Sequence, residues 1–214
     1  MMKTYYISAG AIFGTMAVAV RLLGIKFPFP PIPYLTFELA EIPIILGFLL
    51  YGPTVAAVSV FSYWIILNVV GSFVPIGPAM AFAASLSTIC GIWVGLKVAG
   101  KLGFSKDSAI ALGFIIGSTF RIIVMSLFNY IILCVLMPSF FDFASKSLST
   151  FLGTSFPSQM YALTLIFVFT AIFNILQVAI IFIPSLPIVK LVESRVGFSL
   201  KAGSWLTNVL KKEK

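Results

Sequence analysis

The chain has no histidine, and among its 214 residues only 9% are charged and only six are carboxylates. Without an imidazole there can be no Ser-His or Cys-His nucleophilic site, no HExxH zinc site and no haem held by histidine. A phosphate-cradling loop of the form GxxxxGK[ST] is also missing, so no ATPase site is expected in this chain. Cysteine is scarce. Cys90 and Cys134 both fall within apolar stretches and have no ligating neighbour at metal-site spacing, which predicts small packing side chains rather than chemistry. The chain also lacks a polar linker or charge-rich divider, so residues 1–214 are expected to form a single domain.

What the chain does have is apolar length. Hydrophobic residues make up 60% of it and the mean hydropathy is +1.13, well outside the range of water-soluble domains. Apolar windows near the roughly 20 residues needed to cross about 30 Å of hydrocarbon recur along it. They predict an all-α integral membrane protein with six transmembrane helices at 5–23, 37–50, 54–70, 79–99, 108–137 and 159–189. The second is short, and Pro184 and Pro187 are expected to kink or end the sixth. The first span lacks the short apolar core and small-residue cleavage site of a signal peptide, and is expected to be retained.

The net charge of +8 raises the possibility of a nucleic-acid partner, but its placement argues against one. Lys3 precedes the first helix, and Lys97, Lys101 and Lys106 flank the fourth connection. Lys190, Arg195, Lys201, Lys211, Lys212 and Lys214 follow the sixth helix. With both termini in the cytoplasm, these residues obey the positive-inside rule. The basic tail, about 190–214, is a topology signal first and a lipid or partner contact second.

Polar side chains inside the spans need a partner, a cavity or a substrate. Asn174 and Gln177 lie three apart, with Thr170 one turn before Asn174, and form a polar stripe; Asn129 adds a carboxamide on the neighbouring helix. Carboxamides both donate and accept, which suits a neutral heterocycle with an amide-like edge. Interhelical hydrogen bonds are the alternative use. Arg121 lies too deep to reach water and needs an acceptor; Glu41 and Glu38 are the candidates, and a structural ion pair is expected. On the first helix Ala11, Thr15 and Ala19 repeat every four residues, as do Gly10 and Gly14 on an adjacent line, so another helix can approach closely. Residues 138–158, rich in Phe and Ser, read as an interfacial or lid-like segment.

Three motifs carry a family resemblance. Residues 27–53, FPFPPIPYLTFELAEIPIILGFLLYGP, form a proline-rich loop followed by a short acidic-Ile-Pro helix closed by Gly-Pro. Residues 119–133 read TFRIIVMSLFNYIIL and residues 172–177 read IFNILQ. Together they resemble the substrate-binding S components of energy-coupling factor (ECF) vitamin transporters, most closely the riboflavin-binding ones. That resemblance implies a substrate site between the first loop and helices four to six. Its residues would be Pro33, Tyr34, Leu35, Phe82, Ser85, Asn129, Thr170, Asn174 and Gln177, with Glu41 and Arg121 as a structural pair. Gln177 stands where the family usually has Lys, Glu41 where Asp is usual and Ala40 where Ser is. The fourth helix, AMAFAASLS, lacks the family's Asn.

The resemblance further implies capture of riboflavin as transported ligand at the outer face of a prokaryotic plasma membrane. No catalytic cofactor is implied. The partners would be an ECF transmembrane coupling subunit, docked on Gly10, Ala11, Gly14, Thr15 and Ala19, and two ABC ATPases that alone use ATP. Two alternatives stand beside this reading: an S component for another vitamin or nucleobase-like compound, and a six-helix membrane scaffold protein of the MreD type. An enzyme is not expected.

Overall fold

In the computed structural model, residues 2–196 and 204–211 are described. The side chain of Lys3 and all of Lys201, Lys212 and Lys214 lie outside that description, as does the side chain of Lys211. Five helices are long and apolar enough to cross a membrane: α1 (Met2–Leu22), α3 (Pro53–Val70), α4 (Ile76–Lys101), α5 (Lys106–Ile131) and α7 (Gln159–Val196). A sixth apolar helix, α2 (Ile42–Tyr51), has only ten residues. The all-α membrane bundle expected from hydropathy is present. It is joined by an amphipathic α6 (Pro138–Leu152) and a short α8 (Trp205–Lys211).

The proline-rich segment is more regular than a loop. It folds as an antiparallel hairpin, β1 (Lys26–Phe29) and β2 (Ile32–Glu38), with Lys26 opposite Glu38 and an irregularity between Pro28 and Phe29. Proline cannot donate to a ladder and is confined to edges and irregular positions, which is where this two-stranded ribbon places it. Phe37 and Glu38, expected at the start of the second helix, therefore belong to β2. Helix α2 begins at Ile42 with Pro43 in its first turn, where a missing N–H costs nothing.

Two apolar cores result. The larger one fills the space between α1, α2, α3, α4, α5, α7 and α8, around Phe48, Tyr63, Ile92 and Phe182. The smaller lies at the hairpin end, where Phe29, Ile32 and Leu35 meet Leu133, Ala144, Leu148, Ile166 and Phe173. Residues 138–152 are thus a helix laid over the hairpin. Gly153 ends it in the left-handed region (φ +68°) and donates its N–H to Thr150.

Glycine sets the closest crossing. A Cβ on Gly91 would sit 2.7 Å from the Cα of Gly117, and one on Gly95 would sit 2.7 Å from the Cα of Gly113. Helices α4 and α5 therefore touch backbone to backbone. The same device joins α1 to α3: Gly10 packs on Val58, and Gly14 on Ser59 and Ser62. Both glycines are used within the bundle and are not available as part of a docking face. Ala11, Thr15 and Ala19, on the adjacent line of α1, remain exposed.

Helix α7 continues through Pro184 and Pro187 to Val196 and does not end at 189. Interior prolines are tolerated in a membrane helix where neighbouring groups satisfy the freed carbonyls. Cys90 and Cys134 are exposed on helix surfaces, contrary to their expected packing role.

Candidate functional site

Beneath the hairpin lie two adjoining chambers. The inner one, about 200 Å³, is polar and includes Arg21, Glu38, Glu41, Tyr63, Arg121 and Gln177 in its walls. The outer one, about 350 Å³, is aromatic and aliphatic, with Phe73, Phe140, Leu133 and Met137 around Asn129. Tyr34, Leu35, Gly77 and Met80 line both chambers and mark the passage between them. Together they fall within the roughly 300–1,000 Å³ typical of small-molecule sites, and they show the usual pattern of apolar walls with a few placed polar groups.

The floor of the inner chamber is an ion-pair network. Arg121 donates from Nη1 and Nη2 to the two oxygens of Glu41, at 2.8 and 2.9 Å. Its Nη1 also donates to Thr88 Oγ1 at 3.1 Å, and its Nε to Asn174 Oδ1 at 3.1 Å. Ser85 donates to Glu41 Oε2 at 3.1 Å. Arg121 and Glu41 are 4% and 9% exposed, so the bidentate geometry and the flanking acceptors are what make burial of both charges tolerable. The glycine contact between α4 and α5 brings Thr88 within reach of Arg121. A second pair closes the chamber's side. Arg21 of α1 donates to Glu38 at 2.6 Å and to Tyr63 at 3.0 Å, and Lys26 approaches Glu38 at 3.4 Å.

The residues expected to face ligand separate into groups. Asn129 and Tyr34 stand in the chamber walls with polar capacity to spare. Asn129 is 2% exposed and donates only to the carbonyl of Met125, four residues back. The Tyr34 hydroxyl is buried and has no partner among the described residues. A phenol O–H can donate to a ligand. Leu35 provides apolar wall. Asn174 and Thr170 line neither chamber: Asn174 accepts from Arg121 and donates to the Thr170 carbonyl. Ser85 is likewise spent on Glu41.

Three expected contacts are placed differently. Gln177 borders the inner chamber, but its Oε1 accepts from the Glu38 N–H at 3.3 Å and its Nε2 donates to the Glu38 carbonyl at 2.7 Å. Pro33 points outward from the hairpin and lines no cavity. Phe82 packs on Phe61 and Trp64, at ring distances of 5.1 and 5.4 Å, in an external groove with Phe120 and Phe128. Phe82 is only three residues from Ser85, about 60° around the helix, but it sits at the edge of that face and packs on α3 rather than into either chamber. Thr88, Arg21, Tyr63, Phe73, Phe140 and Met80 are wall or network residues that motif reading did not reach. A π-helical turn at Ile132–Leu136 follows Asn129 and carries Leu133 into the same wall.

A solved structure of the S component of a bacterial ECF transporter superposes with a TM-score of 0.61, covering 93% of this chain and 99% of that one at 20% identity. The chain has the S-component fold. In sequence, this S-component-fold protein is 31% identical over 123 residues to the riboflavin transporter FmnP of Bacillus subtilis (strain 168), and 32% identical over 130 residues to the riboflavin transporter RibU of Staphylococcus aureus (strain TCH60). Those alignments cover 55% and 60% of this chain, and 61% and 66% of the two relatives, just short of two thirds of either. No family model matches the chain.

Proposed function

We propose that this protein is the substrate-capture subunit of an ECF-type importer and that it binds riboflavin in the paired chambers beneath the hairpin. The observation that carries the reading is the wall of the outer chamber, where the Tyr34 hydroxyl is buried without a partner among the described residues and the Asn129 carboxamide is only half engaged. A flat heterocycle with an amide edge satisfies such groups, and Tyr34, Phe73 and Phe140 offer it aromatic faces. The likeness to two riboflavin transporters selects riboflavin from among such ligands.

In this reading Asn129, Tyr34 and Leu35 touch the ligand. Arg121 and Glu41 hold the floor, and Asn174, Thr170 and Ser85 act through them. The hairpin and α6 close the outer face. The chain does no chemistry on its ligand and needs no cofactor of its own. ATP is spent by two ABC ATPases joined through a transmembrane coupling subunit, for which the exposed Ala11, Thr15 and Ala19 line of α1 is the docking candidate. Both termini lie on the cytoplasmic side of a prokaryotic plasma membrane, as the basic residues around α8 favour.

Isothermal titration of the detergent-purified protein with riboflavin tests the assignment. Tight one-to-one binding supports it. A folded, ligand-free protein that ignores riboflavin but binds another vitamin or nucleobase-like compound keeps the fold's role and replaces the ligand. Failure with all of them removes the capture reading and favours a membrane scaffold.

A further inference from the structure

Glu38 is the last residue of β2, and the chain holds it from two sides. Its carboxylate takes Arg21 of α1 at 2.6 Å and Lys26 of β1 at 3.4 Å. Its main-chain N–H and carbonyl are both taken by the carboxamide of Gln177 on α7, at 3.3 and 2.7 Å. A carboxamide carries the same donor–acceptor pair as a peptide group, so Gln177 completes the edge of β2 as another strand would. Tyr34 and Leu35, which divide the two chambers, lie on the same short strand. Holding Glu38 therefore sets where they stand.

We infer that Gln177 is a positioning residue: it pins the hairpin over the site through the Glu38 backbone and does not read the ligand. This rests on the capture function proposed above and assigns residue 177 a different task within it. A carboxamide can both accept from the N–H and donate to the carbonyl. A Lys here can only donate, and leaves the part-buried Glu38 N–H without a side-chain acceptor. Gln177 itself is 2% exposed, and each of its polar atoms already has a partner.

The test uses the full chain in detergent or nanodiscs as wild type, Gln177→Leu and Gln177→Glu. Hydrogen exchange of the 32–41 segment is measured first, without ligand. Gln177→Leu is expected to raise hairpin exchange about tenfold. Gln177→Glu, which keeps an acceptor for the N–H, is expected to fall between it and wild type, and it serves if the Leu variant does not fold. Riboflavin dissociation, followed by flavin fluorescence in stopped flow, is expected to quicken about tenfold in Gln177→Leu while the absorption band of bound flavin stays unchanged. Unchanged hairpin exchange in the ligand-free variants overturns the inference. A shifted band of the bound flavin also overturns it, because that is the mark of a lost direct contact. If the wild type binds no riboflavin, the capture reading fails while the exchange data still decide the role of Gln177.

Discussion

At the tail end of the bundle, α4 and α5 touch at glycine backbones, and Trp205 of α8 rests against Phe48 at a ring distance of 4.8 Å. At the hairpin end the same α4 and α5 face each other across the outer chamber, and two strands with a covering helix take the place of a helix crossing. Arg121, at the boundary, has its donors matched by Glu41, Thr88 and Asn174, whereas Tyr34 and Asn129 in the chamber walls keep capacity unused; the buried hydroxyls of Ser118 and Thr170, which line neither chamber, are also without a partner among the described residues. The packed half supplies a frame with little to rearrange, and the open half leaves hydrogen-bonding capacity for something that is not part of the chain.

The sharpest way to break this comparison is at the boundary. Arg121→Met strands Glu41 in the core, and removing one partner of a buried pair costs about 3–5 kcal/mol. Thermal unfolding in detergent should show a large loss of stability, and adding Glu41→Met should restore much of it. If the double variant is no better than the single, the pair is not the floor of the site. Gly95→Val attacks the packed half alone. Its branches meet the Gly113 backbone, and overpacking of this kind costs roughly 1–3 kcal/mol, read as a lower unfolding temperature in the ligand-free protein.

Asn129→Leu acts in the open half. It should weaken riboflavin binding about 10- to 100-fold by titration and leave ligand-free stability within about 1 kcal/mol. Unaltered affinity would move the ligand out of the outer chamber. The smallest effect belongs to Tyr34→Phe, which should weaken binding about three- to tenfold through one lost hydrogen bond.

The long helices and the Arg121–Glu41 partnership could be read from the sequence for one reason: hydrocarbon tolerates neither an unpaired backbone nor an unpaired charge. The hairpin could not. Its prolines hide the strand alternation of Phe29, Ile32 and Leu35 and look like a break. The task of Gln177 was hidden more deeply, because its partner is a main-chain group 139 positions away, and main chain has no residue type to match. Phe82 was misplaced because membrane helices are apolar all round, so hydropathy does not say which face turns inward. The glycine crossing went unread: Gly91 and Gly95 stand four apart, as do Gly113 and Gly117, but that spacing was weighed only in the first helix. The same spacing in α1 suggested an outside partner, whereas Gly10 and Gly14 serve α3.

Helix α2 has ten residues and so rises about 15 Å, half the thickness of a bilayer's hydrocarbon layer. With its Tyr51 end set at the cytoplasmic boundary, as the proposed topology has it, Glu41 falls near mid-depth and the hairpin extends from there to the outer face. Side chains from α1 and α7 finish its edge there. Bilayer thickness is therefore a property this protein should register. A thinner membrane lowers the water boundary toward the hairpin and loosens the lid, and a thicker one buries it further, so ligand residence should lengthen with lipid chain length while the helical frame stays the same.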